Sequence, residues 1–121
     1  DVDVFVGRVG GLKIDALSAV SFGVSAGHTI CVAAPGLLLA TQLKPESFTH
    51  RRGDRARFVL ESLAPAEFTL ALDTCHNLFS ENHITRTDFD RVQRQVAHQH
   101  QSGRTSAYRA FVSELYNRLK Q

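Results

Sequence analysis

The sequence begins with DVDVFVGRVGGLKIDALSAV at residues 1–20, and this stretch decides between a purely helical fold and a mixed one. Its first six residues alternate valine with aspartate or phenylalanine, which is the two-residue period of a β-strand. Gly7, Gly10 and Gly11 then favour a turn. The alternation resumes in LKIDALSAV, so the stretch predicts a β-hairpin with its turn centred near Val9.

The register of this hairpin follows from which face is apolar. If the position numbers of each pair sum to eighteen, Val4 lies opposite Ile14. Val6 then lies opposite Leu12, and one face becomes wholly apolar, whereas a slip of one residue would mix the two faces. We therefore expect this pairing.

The opposite face of the same hairpin is acidic. The expected register brings Asp3 opposite Asp15, with Asp1 diagonal to them. Opposed like charges destabilise a sheet unless a cation, a raised pKa or solvent compensates them. Carboxylates at this spacing are hard oxygen ligands that suit Mg²⁺ or Mn²⁺. A solvated strand face carries the same pattern, and both interpretations stay open.

The chain beyond the hairpin changes from strand to helix patterns. TICVA at 29–33 predicts a third, buried strand. Pro35 and Pro65 suit first turns of helices, Pro45 ends or bends one, and Thr87 and Ser106 are expected N-caps. We expect an α+β fold: a small N-terminal β-sheet of about three strands in residues 1–33, followed by four or five helices in 35–121.

The apolar positions of these helices recur every three or four residues, which predicts one buried face on each helix. The expected core residues are Phe58, Val59, Leu60, Leu63, Phe68, Leu72, Cys75, Leu78, Phe79, Phe89, Val92, Val96, Tyr108, Phe111, Val112, Leu115 and Leu119.

Length and composition limit the class of protein. The 121 residues predict a single domain, and 43% hydrophobic with 21% charged residues exclude a disordered or low-complexity chain. No apolar run approaches the roughly 20 residues of a membrane span. Two cysteines are too few for a disulfide scaffold, and both lie in apolar runs. We therefore expect buried thiols and a cytoplasmic location. The net charge of +2 does not by itself imply a nucleic-acid partner, and the oligomeric state stays open.

The chain carries, in this order, DVDVFV, LKIDALS, an apolar strand, APGLLLATQLK and a basic RR pair at residues 51–52. This order resembles the polymerase-β-like nucleotidyltransferases, in particular the toxin-type enzymes of abortive-infection systems, and the resemblance covers roughly residues 1–63. In that family an Asp-x-Asp pair and a third aspartate on a neighbouring strand hold two Mg²⁺ ions. The ions bind a nucleotide triphosphate and activate an acceptor hydroxyl.

The resemblance implies roles for six residues. Asp1 and Asp3 match the paired metal ligands. Asp15 matches the third ligand, which is the catalytic residue on the side of the general base. Lys44 matches a helix lysine that contacts phosphate, and Arg51 or Arg52 assists it. The implied cofactor is Mg²⁺ or Mn²⁺, and the implied partners are a nucleotide triphosphate and an RNA or protein acceptor.

A second hypothesis belongs to a different class of function. The family carries a Gly-Ser motif on a helix before the paired aspartates, whereas this sequence begins at Asp1. Two hypotheses therefore remain. The chain is either a nucleotidyltransferase-like enzyme, truncated or degenerate, or a non-catalytic protein-interaction domain that uses its helical surface.

Overall fold

The computed structural model describes residues 7–9, 11–14, 22–24, 31–98 and 106–119. Four strands of three residues each come first: β1 (Gly7–Val9), β2 (Leu12–Ile14), β3 (Phe22–Val24) and β4 (Cys31–Ala33). Five α-helices follow: α1 (Pro35–Gln42), α2 (His50–Glu61), α3 (Pro65–Glu81), α4 (Arg86–His98) and α5 (Ser106–Arg118). A 3₁₀ turn, Pro45–Ser47, separates α1 from α2.

The expected α+β class with a three-stranded sheet is wrong, because the described part of the chain is mostly helical. Its strands pair only two by two, β1 with β2 and β3 with β4, and both pairs are antiparallel. The helices bury their apolar faces against one another rather than against a sheet. Among the described side chains, Leu12 is the one core residue that a strand supplies, and it is 1% exposed.

The register predicted for the first hairpin is also wrong. Leu12 lies opposite Val9 rather than Val6, and Ile14 lies opposite Gly7 rather than Val4. The turn is therefore only two residues long, and Gly11 in it has a φ of 84°. Two-residue hairpin turns need positive φ, which glycine supplies without strain. The geometry of the turn therefore set the register, and the alternation of side chains on which the prediction relied did not.

The starts of the helices follow local signals in the sequence. Pro35 and Pro65 each occupy the first turn of a helix, as predicted. The expected cap at Thr87 is wrong by two residues, because α4 begins at Arg86. Thr85 and Asp88 instead form a reciprocal capping box. The Thr85 backbone N–H donates to Asp88 Oδ2 at 3.1 Å, and the Asp88 N–H donates to Thr85 Oγ1 at 3.3 Å.

The helices pack around one hydrophobic core. Both α2 and α3 pack against α1 and α5, and α4 packs against α5. Phe79 meets Phe89 edge-on at 5.6 Å between ring centroids, which joins α3 to α4. The predicted core is confirmed at most positions, with Val59, Leu63 and Phe68 partly buried at its margin. Phe58 is the exception, since 72% of its surface is exposed.

In the part of the chain that the structure describes, none of the helices has both the length and the apolar character that crossing a membrane requires.

Candidate functional site

The predicted site residues fall into two groups. Asp1, Asp3 and Asp15, the expected metal ligands, lie outside the described residues. The expected phosphate-binding residues Lys44, Arg51 and Arg52 lie on the described segment that runs from the end of α1 into the first turn of α2. Two of these three cations, Lys44 and Arg52, contact other groups of the protein.

Lys44 is directed towards the first hairpin. Its side chain is 17% exposed, and its Nζ lies 3.5 Å from Glu46 Oε2. The ammonium group also lies against Gly11, where the Cβ of any other residue would collide with it. The side chain therefore joins the hairpin turn to the segment after α1.

Arg52 joins two helices. Its Nη1 donates to the backbone oxygen of Thr41 at 2.8 Å. Thr41 lies in the last turn of α1, where backbone carbonyls have no partner within the helix. Arg52 thus completes the C-terminus of α1 and fixes α2 beside it. Arg51, by contrast, is exposed on the surface of α2.

A cleft lies between the first hairpin and the C-terminus of α3. Its volume is about 420 Å³, and Gly11, Lys13, Lys44, Glu46, Glu81 and His83 are among its lining residues. A second hollow of about 340 Å³ shares Glu46 and His83 with it and reaches Asp88 and Arg91 on α4. Volumes of this size are at the lower end of the range for small-ligand sites.

Asn82 holds the hairpin at one wall of this cleft. Its Oδ1 accepts from the Lys13 backbone N–H at 2.8 Å, and its Nδ2 donates to the Lys13 carbonyl at 3.0 Å. The side-chain amide thereby pairs with Lys13 as a neighbouring strand would. The same Nδ2 donates to Leu78 O at 2.8 Å, so one amide joins β2 to the last turn of α3.

His83 follows Asn82 in a left-handed conformation, with a φ of 59°. Its N–H donates to Ser80 O at 3.1 Å, and the Ile84 N–H donates to Phe79 O at 2.9 Å. These two bonds form a Schellman motif, which ends a helix and usually places glycine at the left-handed position. An L-residue there is strained by about 1–3 kcal/mol.

Several charged side chains at the cleft and at the adjoining hollow contact groups of the protein. Lys44 faces Glu46, and the Arg91 guanidinium donates to the carbonyl of Pro45. Hydrogen bonds from Thr85 hold the pKa of the Asp88 carboxyl below its usual value, and the bond from the backbone N–H contributes more than the one from the hydroxyl. The cleft itself is lined by two lysines and two glutamates, so its walls carry no net charge that would select an anion or a cation.

The outer face of α2 is different. Arg51, Arg55 and Phe58 are exposed and lie at i, i+4 and i+7, so that they form one row on the helix. We name this row the α2 stripe. Arg57 pairs with Asp54 at 3.4 Å and with Glu61 at 4.0 Å. Within the described part of the chain, neither arginine of the stripe forms an ion pair with a carboxylate.

Sequence reasoning assigned Phe58 to the core, and a local signal could have prevented this. Gly53, Ala56 and Leu60 are the buried residues of α2. Phe48 and Tyr108 approach Gly53 so closely that a Cβ would lie 3.0–3.1 Å from their rings or hydroxyl. The small residues therefore mark the buried face, and Phe58 lies two residues after Ala56, about 200° around the helix.

The described residues contain no group of three or more His, Cys, Asp or Glu side chains that could hold a metal ion. The predicted Mg²⁺ or Mn²⁺ ligands are not among them.

Comparison of the chain with protein-family models, with curated proteins and with solved structures found no match.

Proposed function

We propose that this chain is a protein-interaction domain that binds a partner protein through the α2 stripe. The observation that carries the proposal is the exposure of Phe58, which leaves 72% of a large apolar side chain in water on an otherwise polar face. Burial of such a side chain stabilises a complex by about 1.5–3 kcal/mol. Phenylalanine is also among the residues enriched at protein interfaces.

The helices around α2 give the stripe a rigid base. Arg52 bonds α2 to the end of α1, and the Thr49 hydroxyl caps its first turn by accepting from the Arg52 N–H at 3.2 Å. Ala56 and Leu60 bury the opposite face of the helix. The backbone under the stripe is thus held by packing and by hydrogen bonds, which lowers the conformational entropy that binding would cost.

A random-peptide library selected on the immobilised domain tests this proposal. Fluorescence anisotropy then compares the affinity of selected peptides for the wild type and for Phe58→Ser. We expect Phe58→Ser to weaken binding by about tenfold or more, since each 1.4 kcal/mol of lost burial is a factor of ten. Its melting temperature should stay close to that of the wild type, because Phe58 contributes little to the core.

Leu70 provides the matched control. It is a large apolar side chain on α3 with 65% of its surface exposed, so Leu70→Ser removes a similar apolar area from another helix. We expect Leu70→Ser to change affinity by less than about twofold. A domain that selects no peptide, or peptides that bind Phe58→Ser as tightly as the wild type, would contradict the proposal.

The nucleotidyltransferase hypothesis stays a prediction. Its ligands Asp1, Asp3 and Asp15 lie outside the described residues, and two of its three phosphate-binding candidates, Lys44 and Arg52, already contact groups of the protein. Calorimetric titration of Mg²⁺ or Mn²⁺ tests it. Binding that is lost in the Asp3→Asn, Asp15→Asn double variant would favour the enzyme, and an absence of binding at millimolar metal would oppose it.

A further inference from the structure

The arginines of α2 divide into two pairs by their contacts. Arg52 donates to Thr41 O, and Arg57 pairs with Asp54 and Glu61. Arg51 and Arg55 have no carboxylate partner in the part of the chain that the structure describes, and both are exposed. The two guanidinium groups beside Phe58 are therefore the ones available to a ligand.

The spacing of the stripe sets the shape of the ligand. Because a helix rises about 1.5 Å per residue, Arg51 and Arg55 are about 6 Å apart along the axis, and Phe58 lies roughly 4.5 Å further on. Guanidinium groups bind carboxylates through two parallel hydrogen bonds. A peptide with two carboxylates about one helical turn apart and an apolar side chain beyond them would complement all three residues.

The surroundings of the stripe favour a peptide over a nucleic acid. Sites for single-stranded nucleic acid stack successive bases on several aromatic rings within a continuous basic groove. The α2 stripe has one ring, and the carboxylates of Asp54 and Glu61 are exposed on the same helix. These carboxylates, both paired with Arg57, interrupt the row of cations that a nucleic-acid backbone would follow, whereas a peptide can place neutral residues opposite them.

We infer that the partner bound by the α2 stripe is an acidic peptide segment whose carboxylates pair with Arg51 and Arg55 and whose apolar side chain covers Phe58. This inference rests on the proposed function and specifies its partner. It assigns charge selectivity to the two arginines and apolar contact area to the phenyl ring.

Three fluorescein-labelled probes test the inference by anisotropy. The first is an amphipathic peptide with glutamates one helical turn apart, followed by leucine. The second is the same peptide with glutamine in place of glutamate, and the third is a uridine homopolymer. We expect the acidic peptide to bind about tenfold more tightly than its glutamine counterpart and more tightly than the RNA, with an affinity that falls as salt rises.

Reversing the charge of one arginine tests whether the acidic peptide binds at the α2 stripe. We expect Arg55→Glu to weaken binding of the acidic peptide by about tenfold. Arg109→Glu makes the same charge change at an exposed position on α5, and we expect it to alter affinity by less than about twofold. Equal effects of the two variants, tighter binding of the glutamine peptide, or tighter binding of the RNA would each overturn the inference.

The outcomes separate this inference from the proposed function. If Phe58→Ser abolishes binding of selected peptides while Arg55→Glu leaves it unchanged, the interaction domain stands and the acidic partner is wrong. If neither variant affects binding of any peptide, both the proposed function and the inference are wrong.

Discussion

At the scale of single residues, the end of α3 shows how two side chains attach a hairpin to a helical body. Asn82 pairs with both backbone groups of Lys13 and with Leu78 O. His83 then takes the left-handed position that allows Ile84 to return to the core. The two residues have opposite energetic roles, because the amide satisfies three backbone groups whereas the histidine adopts a strained φ.

The strain at His83 predicts a stabilising substitution. We expect His83→Gly to raise the free energy of unfolding by about 1 kcal/mol, because glycine adopts positive φ without a steric penalty. Urea denaturation measures the change. His83→Ala is the control, since it removes the imidazole but keeps the Cβ, and it should not stabilise the protein. A loss of stability in His83→Gly would show that the imidazole makes a contact that outweighs the strain.

The amide of Asn82 predicts the opposite effect. Asn82→Asp replaces the donor to Lys13 O and Leu78 O by a carboxylate oxygen, which would face two carbonyl oxygens. We expect a loss of about 1–3 kcal/mol in the free energy of unfolding, because donors and acceptors are left unpaired. Asn77→Asp, at an exposed position on α3, controls for the added charge. Equal losses in the two variants would contradict this account of Asn82.

At the scale of elements, the sequence predicts some helix starts and buried helix faces correctly and others wrongly. Pro35 and Pro65 fix the starts of α1 and α3, because their φ and missing N–H suit only the first turn. The start of α4 was missed, since the reciprocal pair Thr85 and Asp88 competes with Thr87 for the cap. On α2 the prediction failed at Phe58, because Gly53 and Ala56, two of the three buried residues of this helix, are small and do not stand out as core positions.

The capping box of α4 predicts an effect of pH. Hydrogen bonds from Thr85 lower the pKa of Asp88 in the folded state. A lowered folded pKa stabilises the protein above the ordinary carboxyl pKa of about 3.9, and this contribution is lost as the pH falls through the folded value. We expect Asp88→Asn to be less stable than the wild type at neutral pH, with a difference that shrinks towards acid pH.

Thermal unfolding across this pH range measures the effect of Asp88. Asp54→Asn is the comparison, because Asp54 is an exposed aspartate on α2 that pairs with Arg57. A stability difference for Asp88→Asn that stays constant from neutral to acid pH would rule out a lowered pKa as the source of its contribution.

At the scale of the whole molecule, the close approach of α1 to α3 organises the core. Gly36 allows it, because a Cβ at this position would overlap the Thr74 side chain and come within 3.0 Å of Ala71 O. Leu37, Leu39 and Ala40 are also buried, and because Leu37 and Leu39 lie about 200° apart around the helix, α1 is enclosed on more than one side. The helices assemble around this contact, and the described strands pair two by two.

Gly36→Ala tests this role of the α1–α3 contact. Overpacking of a tight core costs about 1–3 kcal/mol, which exceeds the roughly 1 kcal/mol that alanine gains over glycine within a helix. We therefore expect a net loss of stability and a lower melting temperature, as measured by far-UV circular dichroism. A more stable Gly36→Ala variant would mean that α1 and α3 are not in close contact at this point.

The sequence predicted the positions of the helices and most of their buried residues, but not the fold class. Helical periodicity extends over several turns in α3, α4 and α5, and it is therefore a strong signal. The strand patterns of residues 1–33 are short, and a short alternating run does not show how many strands will pair. For the candidate site, Arg51 was predicted only as a residue that assists Lys44 in binding phosphate, and Phe58 was assigned to the core.

The central claim is that the α2 stripe binds a protein partner, and amide chemical-shift mapping tests it most directly. An ¹⁵N-labelled domain would be titrated with a peptide selected from the random library. The account predicts that the largest shifts occur on α2, centred on Arg51, Arg55 and Phe58. Shifts concentrated instead around Lys13, Lys44 and His83 would contradict it and would assign binding to the cleft beside the first hairpin.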